Sequence, residues 1–229
     1  MFERLLDNLY KALIREDRWR MYINGLGNTM RIALVACAMG IFIGVVVAIV
    51  KIYASDSKNP ILRMLNAACT LYTTVIRGTP VVLQLLVLFN LAWMPNGITA
   101  CMIGFGINSG AYVSETFRGG INSVDIGQME AGRTLGLSRN KTMWYIILPQ
   151  AIKNILPALF NEFIMLVKET SVAGYIAVAD LTKVADGLRG RTLSMTHLYI
   201  AGAGYLTITF VLTLLQQAME RRLARSDRS

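Results

Sequence analysis

The sequence is poor in charged residues, in histidine and in cysteine. Charged residues make up 16% of the 229 positions, whereas a soluble domain carries about a quarter. A chain with so little charge that is also 54% hydrophobic is expected in a lipid environment. The single histidine and the three cysteines lack metal or redox spacing, so we expect no metal site and expect the cysteines to pack as small apolar residues. These residues are His197, Cys37, Cys69 and Cys101.

The chain also lacks a phosphate-binding loop of the form G-x-x-x-x-G-K-[ST]. Without that loop it cannot hold ATP in the P-loop manner. The formal net charge of +9 would suit nucleic acid, but in a membrane protein basic residues mainly set the orientation. We therefore expect no nucleic-acid partner.

Two uncharged runs are long enough to cross a membrane. Residues 32–50 lie between Arg31 and Lys51 and span about 28 Å at about 1.5 Å per residue. That length is close to the hydrocarbon thickness of a bilayer. Residues 198–219 form the second run. The first run starts too late and is too long for the core of a signal peptide.

The remaining elements follow from helical periodicity and from helix-breaking residues. Residues 1–20 alternate apolar and charged positions at helical spacing, which predicts an amphipathic helix at the membrane surface. The sequence NGLGNT at 24–29 is expected to be a linker. The other predicted elements are crossings at 28–51, 78–94, 98–120, 155–178 and 198–219, an elbow helix at 61–77, a tight turn at 94–97 and a polar connection at 180–196.

The expected fold is therefore an all-α integral membrane protein with five transmembrane helices. With the N-terminus outside, the inner segments carry 13 lysines and arginines and the outer segments 8, which favours N-out and C-in. Five spans can hardly enclose a substrate path, so we expect a dimer, with an identical or a related chain. The predicted domains are an N-terminal segment at 1–27, a transmembrane domain at 28–220 and a basic tail at 221–229.

Small residues recur at every fourth position of the first span. They form a smooth stripe against which another helix can pack closely. Packing inside one subunit and contact between two subunits are both consistent with the stripe. Its members are Ala36, Gly40, Gly44 and Ala48.

A polar segment, EAGRTLGLSRNKTMWYIILP at 130–149, interrupts the apolar stretches. It predicts two short helices about a turn. Gly136 suits a left-handed C-terminal cap, Ser138 suits an N-cap, and Leu148-Pro149 is expected to stop the second helix.

The small pair Ala131-Gly132 is expected to keep one helix face bare, so that the backbone of a partner can approach. An ordinary cytoplasmic loop is the alternative. The choice between them depends on whether other parts of the sequence point to a partner.

The segment resembles the coupling loop of ATP-binding-cassette (ABC) importer permeases. That pattern is E-A-A, three residues, Gly, nine residues, Ile, one residue and Leu-Pro, and the chain departs from it only at Gly132, which stays small. The stretches NGLGNTMRIAL, RGTPVVLQL, SGAYVSETFRGGINSV, GQMEAG, LPQA and KETSV resemble, in the same order, the polar amino-acid uptake branch of that family. The resemblance implies a coupling loop at about 123–150, with coupling residues Glu130, Ala131, Gly132, Gly136, Leu137, Leu148 and Pro149.

The resemblance implies the type I ABC importer permease fold. It also implies a permease subunit, not itself an enzyme, that moves a polar amino acid into the cytoplasm across a bacterial plasma membrane. Its partners would be a dimer of ATPase subunits, an extracytoplasmic binding protein and a second permease chain. ATP and Mg²⁺ would be bound by the ATPase subunits, and this chain would carry no cofactor.

Charges within a span cost about 2.5–3.5 kcal/mol each on insertion scales, so they are candidates for function. An amino acid presents an ammonium and a carboxylate, so its path needs both signs of charge together with hydrogen-bonding groups. Internal ion pairing and snorkelling to the membrane boundary are the alternatives for these charges. The candidate substrate-path residues are Gln84, Asn108, Glu115, Asn161, Glu162, Lys168, Glu169, Thr170 and Ser171.

Two other functions remain open from the sequence. The same intramembrane charges would serve a self-sufficient secondary transporter or channel for small polar solutes. The polar segment would also serve a scaffold or sensor that recruits a cytosolic protein without transporting anything.

Overall fold

A computed structural model of the chain describes residues 2–54, 57–91 and 93–226. Within these residues every regular element is helical, which confirms the all-α prediction. The α-helices are α1 Phe2–Leu13, α2 Arg18–Ala54, α3 Pro60–Gly78, α4 Val81–Phe89, α5 Gly97–Asn122, α6 Ile126–Thr134, α7 Arg139–Thr142, α8 Leu148–Glu169, α9 Leu181–Thr192 and α10 Thr196–Ser226.

Among the described residues, two helical segments are long and apolar enough to cross a membrane. They are Arg15–Ala54, which contains α2, and Thr196–Ala224 within α10. The bent pair of α3 and α4 adds a third if it counts as one broken span. The 26 residues of α5 and the 22 of α8 exceed the required length, but their composition is too polar to qualify. The count of five transmembrane helices therefore remains a prediction.

The N-terminal helix α1 ends at Leu13, and a break separates it from α2. At this break Glu16 and Asp17 have φ angles of 58° and 51°, which are uncommon for residues other than glycine. Residues 24–29 lie inside α2, so the linker predicted there is wrong.

Residues 24–29 are helical because they pack against the segment before α9. A Cβ atom on Gly25 would lie 3.0 Å from the carbonyl oxygen of Asp180. The side-chain amide of Asn28 donates to the carbonyl of Ala179 at 2.9 Å. The glycine therefore permits a close approach between two backbones and does not make the chain flexible here.

α3 corresponds to the predicted elbow helix at 61–77, begins at Pro60 and ends two residues before Pro80. Pro60 occupies the first helical position, where its missing N–H breaks no intrahelical bond. Pro80 disfavours helix at Thr79, which is extended at φ −121° and ψ 145°. The single helix predicted across 78–94 is wrong, because α4 has only nine residues and is about 14 Å long.

α8 differs from the predicted fourth crossing at both ends. The sequence predicts a helix at 155–178, but α8 covers Leu148–Glu169 and is followed by a 3₁₀ segment, Thr170–Ile176. The Thr170 hydroxyl donates to the carbonyl of Val167 at 2.8 Å. A side chain that bonds its own backbone in this way competes with regular helix.

The C-terminal helix extends further than predicted. The polar connection at 180–196 contains α9, and α10 continues to Ser226, through most of the basic tail predicted at 221–229. Residues 227–229 of that tail lie outside the described residues.

The chain forms two compact units. The first consists of the described residues within Met1–Ala36, Pro80–Phe105 and Ile164–Thr213. Its core joins α2, α9 and α10. The buried side chains of this core include Tyr22, Leu181, Ala185, Leu188 and Ala201.

The second unit consists of the described residues within Cys37–Thr79, Gly106–Phe163 and Leu214–Ser229. In this unit α2 packs closely on α5. A Cβ atom on Gly40 would lie 2.6 Å from Ser109 Oγ, and one on Gly44 would overlap Val113. At these two glycines, the stripe of small residues serves packing inside the subunit.

Candidate functional site

The polar segment between α5 and α8 folds into two short helices about a turn, as predicted. We call residues 125–147 the hairpin. Its first helix, α6, is capped by Asp125, whose side chain accepts a hydrogen bond from the Gly127 N–H at 2.8 Å. Its second helix, α7, is capped by Ser138, whose hydroxyl accepts from the Lys141 N–H at 3.4 Å. The cap at Ser138 confirms the prediction, whereas the Asp125 cap was not foreseen.

Gly136 forms the turn of the hairpin. Its φ angle is 84°, in the left-handed region that favours glycine. The Gly136 N–H donates to the carbonyl of Arg133 at 3.0 Å, and the Leu137 N–H donates to the carbonyl of Gly132 at 3.1 Å. These two bonds define a Schellman cap, so the predicted left-handed cap is confirmed.

α7 continues towards α8 and does not end before it. Met143–Ile147 forms a π-helical turn, and α8 starts at Leu148. The expectation that Leu148-Pro149 stops the second helix is therefore wrong. Proline lacks an N–H, and here it follows a turn in which α-helical bonding is already interrupted.

Gly132 is buried inside the hairpin. A Cβ atom on it would lie 2.5 Å from Thr142 Cγ2 and 3.1 Å from Ile146 Cδ1. The expectation that Gly132 keeps a face bare for a partner is therefore wrong, because the hairpin itself covers that face. Ala131 is exposed. The small size of residue 132 lets the hairpin close on itself.

The outer surface of the hairpin combines an apolar tip with charge. Leu135 at the turn is 80% exposed. An exposed leucine flanked by cations suits a partner with an apolar pocket and an acidic rim. The charged residues exposed on the hairpin include Glu130, Arg133, Arg139 and Lys141.

The hairpin region is tied to the helices on both sides of it. The Asn154 amide on α8 donates to Ser123 Oγ, just after α5, at 2.9 Å. The Gln150 amide on α8 donates to the Gln128 side chain on α6 at 3.4 Å. The first bond joins the end of α5 to α8, and the second joins the hairpin to α8.

Glu115 lies between two cations. Its carboxylate accepts from Lys51 Nζ at 2.8 Å and from Arg118 Nη2 at 2.6 Å. Lys51 Nζ also donates to Thr73 Oγ1 at 3.3 Å. The cluster joins α2, α3 and α5, so internal pairing, which the sequence left open, describes Glu115 in this structure.

A second polar group joins α5 to α8. The Ser109 hydroxyl donates to Glu162 Oε1 at 3.2 Å. Asn108 is buried beside Ser109 in the sequence, and Asn161 is exposed beside Glu162. Three of the candidate substrate-path residues therefore lie at or beside this contact, whereas Glu115, also on α5, belongs to the separate ionic cluster.

The other five candidates lie in the first unit. Gln84 is half-buried on α4. At the end of α8 and the start of the 3₁₀ segment, Lys168 is exposed, Glu169 and Ser171 are half-buried, and Thr170 is fully buried. The hydroxyl of Thr170 bonds its own helix, so this residue contributes to structure.

Ser171 lines a cavity of about 340 Å³ in the first unit. The wall of this cavity also includes Lys183 and Asp186 of α9. An ammonium, a carboxylate and a hydroxyl complement the charged and polar groups of an amino acid. Asp186 also pairs with Arg189 at 2.7 Å.

Asp180 caps α9, the helix that supplies Lys183 and Asp186 to the wall of this cavity. Its side chain accepts from the N–H groups of Thr182 and Lys183, both at 2.9 Å. Burial raises the pKa of the Asp180 carboxyl, and these hydrogen bonds oppose the rise. The residue fixes the start of α9, which positions Lys183.

Sequence reasoning missed four polar residues that the structure brings into these groups. Lys51 entered only as the boundary of a span, and Ser109 entered only within a motif. Lys183 and Asp186 were assigned to a polar connection because α9 was not predicted. Their spacing of three residues at helical period was the one signal that pointed to a shared face.

The chain combines long apolar helices with charged groups between helices. It also carries a polar hairpin between α5 and α8. These features are typical of a membrane transport subunit. The class is that of the ABC importer permeases. The chain belongs to the family of binding-protein-dependent transport system inner membrane components, whose family model matches residues 40–225. This match confirms the suspected family and the membrane location.

Related sequences and structures agree with this assignment. The arginine transport system permease protein ArtQ of Bacillus subtilis is 36% identical and aligns with 90% of this chain and 93% of its own. The L-cystine transport system permease protein TcyB of the same organism is 36% identical over 93% of this chain and 91% of its own. Both relatives are named as permease proteins of transport systems.

Solved structures share the fold. An amino acid ABC transporter crystallised with histidines superposes with a TM-score of 0.84 at 37% identity, over 92% of this chain and 97% of that chain. The inward-facing MetNI methionine ABC transporter gives a TM-score of 0.78 at 15% identity, over 91% and 98% of the two chains. The second likeness concerns the fold alone, and together they confirm the permease fold.

Proposed function

We propose that this chain is the permease subunit of an ABC importer that moves a polar amino acid into the cytoplasm. A separate ATPase subunit drives it, and an extracytoplasmic binding protein supplies the substrate. The relatives named for arginine and cystine transport support the amino-acid class. The hairpin would lie in the cytoplasm, with the N-terminus outside and the C-terminus inside.

The observation that carries the proposal is the exposed hairpin. It is rigidly capped at Asp125, Gly136 and Ser138 and presents Leu135 at its tip. A rigid, exposed apolar tip suits insertion into a groove of another protein. The bonds from Asn154 and Gln150 then carry the movement of that protein to α5 and α8.

The coupling role extends to the whole E-A-G…L-P pattern. The pattern residues are Glu130, Ala131, Gly132, Gly136, Leu137, Leu148 and Pro149, and the hairpin is folded around them. ATP and Mg²⁺ belong to the ATPase subunit in this proposal, and a second permease chain completes the path.

The substrate path is proposed to use polar groups in both units. In the second unit, Glu162 and Ser109 offer a carboxylate and a hydroxyl between α5 and α8. In the first unit, the cavity at Ser171, Lys183 and Asp186 offers groups of both charges. With the N-terminus outside, α9 would lie on the extracytoplasmic side.

The test is a charge placed at the tip of the hairpin. Leu135→Asp should abolish co-purification with the cognate ATPase subunit, because the apolar tip no longer enters its groove. Ile126→Asp is the matched control, because Ile126 is 75% exposed but lies at the far end of α6. Equal co-purification of both variants would overturn the coupling role. Uptake without any ATPase would instead support a self-sufficient transporter.

A further inference from the structure

An apolar cavity lies where the C-terminal part of α2 meets the hairpin. Its volume is about 210 Å³, larger than an engineered apolar cavity of about 150 Å³ that binds benzene. The surface that faces it is entirely apolar. The lining comes from α2, α5, the π-helical turn and α8, and includes Ala48, Ile52, Phe117, Met143, Trp144 and Ile152.

This cavity opens to the surface of the protein. Ile49 and Tyr53 are each nearly half exposed at its edge, and Trp144 is more than half exposed. A cavity without polar partners is a poor site for water. An apolar group from outside is therefore its favourable occupant.

A smaller cavity of about 120 Å³, lined by both polar and apolar groups, adjoins the apolar one. The two share Ile52, Tyr53 and Met143 as lining residues, and the smaller cavity adds Arg139 and Asn140. A guanidinium is well suited to phosphate, because its N–H groups match the phosphate oxygens and it stays charged. The combined site has an apolar compartment joined to a cationic one.

The aromatic residues beside the site indicate its depth in the membrane. Trp144 lines the apolar cavity, and its neighbour Tyr145 is 75% exposed. Tryptophan and tyrosine are enriched where the hydrocarbon region meets the headgroups. The site also lies near Ala54, at the end of the apolar span of α2. The apolar compartment lies beside the membrane-spanning part of α2 and suits an acyl chain. Arg139 lies at the boundary of that part and suits the phosphate of the same phospholipid.

We propose that this double cavity binds one anionic phospholipid, with part of an acyl chain in the apolar compartment and the phosphate at Arg139. If the hairpin lies in the cytoplasm, as in the proposed function, this lipid belongs to the cytoplasmic leaflet. The lipid site itself does not depend on the proposed function. The lipid would contact Met143 and Trp144 in the π-helical turn. Its binding would therefore stabilise the junction between the hairpin and α8.

Fluorescence of Trp144 tests the site. The variant Trp19→Phe/Trp93→Phe leaves Trp144 as the single tryptophan. The full chain is placed in nanodiscs that contain either dibrominated phosphatidylglycerol or dibrominated phosphatidylcholine at the same mole fraction. We expect half-maximal quenching of Trp144 at a mole fraction about fivefold lower for phosphatidylglycerol than for phosphatidylcholine. One basic residue near the membrane contributes about 1 kcal/mol to binding an anionic lipid, which corresponds to about that factor.

Two substitutions in the same background separate a specific site from general surface charge. Arg139→Gln should abolish the preference for phosphatidylglycerol, while Lys141→Gln, an exposed cation two residues away, should preserve it. Equal quenching by the two lipids, or equal loss in both variants, would overturn the proposal. Native mass spectrometry of the same proteins should show one retained phosphatidylglycerol that Arg139→Gln loses. The test uses neither ATPase nor substrate, so its failure would leave the transport role unaffected.

Discussion

Thr142 fills the space that a side chain on residue 132 would need. Its Cγ2 lies 2.5 Å from the position of a Cβ atom on Gly132, and Thr142 is fully buried. A threonine in a helix has restricted χ1 freedom, so it cannot easily turn away. The two helices of the hairpin are therefore closely packed at this pair, a glycine on α6 and a β-branched residue on α7.

The Gly132 and Thr142 pair predicts a compensating double mutant. Gly132→Ala should destabilise the closed hairpin by about 1–3 kcal/mol, the usual cost of overpacking. Thr142→Ala in the same chain should recover most of this loss, because it removes the two nearest atoms, Thr142 Cγ2 at 2.5 Å and Thr142 Oγ1 at 2.9 Å. Hydrogen exchange of the α6 amides measures the effect. Unchanged protection in Gly132→Ala would show that the pair does not hold the hairpin together.

The left-handed turn predicts a strong response at Gly136. Gly136→Ala should destabilise the hairpin by about 1–2 kcal/mol, because a side chain disfavours this backbone conformation. The destabilised hairpin should also bind the ATPase subunit more weakly. Titration of the reconstituted permease with the ATPase subunit measures this affinity. Gly119→Ala is the control, since that glycine is helical and has open space around it. Equal affinity of the two variants would contradict a rigid turn.

The ionic cluster predicts unequal effects of its two cations. Lys51→Met should lower the free energy of unfolding by about 2 kcal/mol, less than the loss for a fully buried pair, because Arg118 still faces Glu115. Arg118→Gln should cost less than about 1 kcal/mol, because its side chain is 47% exposed. Thermal unfolding in detergent compares them. Equal shifts in Tm would mean that Lys51 does not hold the cluster.

The cavity beside α9 predicts an effect on substrate affinity. Lys183→Met should raise the KM for uptake about tenfold, the loss expected for one charge-assisted hydrogen bond, with a smaller change in the maximal rate. Arg191→Gln should leave KM unchanged, because Arg191 is exposed on α9 and is not part of the cavity wall. Uptake assays in proteoliposomes with the assembled transporter measure both. An unchanged KM in Lys183→Met would remove the cavity from the path.

The sequence predicted the hairpin well because its caps are local. Gly136 and Ser138 act on bonds within a few residues, and such bonds follow residue type. The contact between Gly132 and Thr142 was missed because it depends on how α6 folds back on α7. The glycine that was expected to leave a face open is instead buried against Thr142.

Contacts distant in sequence account for the other differences. The glycines at 24–29 read as a linker, yet Gly25 lies against Asp180, which follows more than 150 positions later. Glu115 was a candidate substrate-path residue with internal pairing as the alternative, and its pairing with Lys51 joins positions that are 64 residues apart. Helix ends in α4 and α8 were misjudged because hydropathy alone does not locate the point at which a proline or a threonine diverts the backbone.

The glycine contacts between α2 and α5 have a mechanical consequence. With Gly40 against the Ser109 side chain and Gly44 against the Val113 side chain, α2 and α5 are closely packed, which restricts sliding of one helix along the other. The two helices would therefore move as one rigid body when the transporter changes conformation. Under the proposed function, a movement that begins at the hairpin would therefore displace α2 and α5 together.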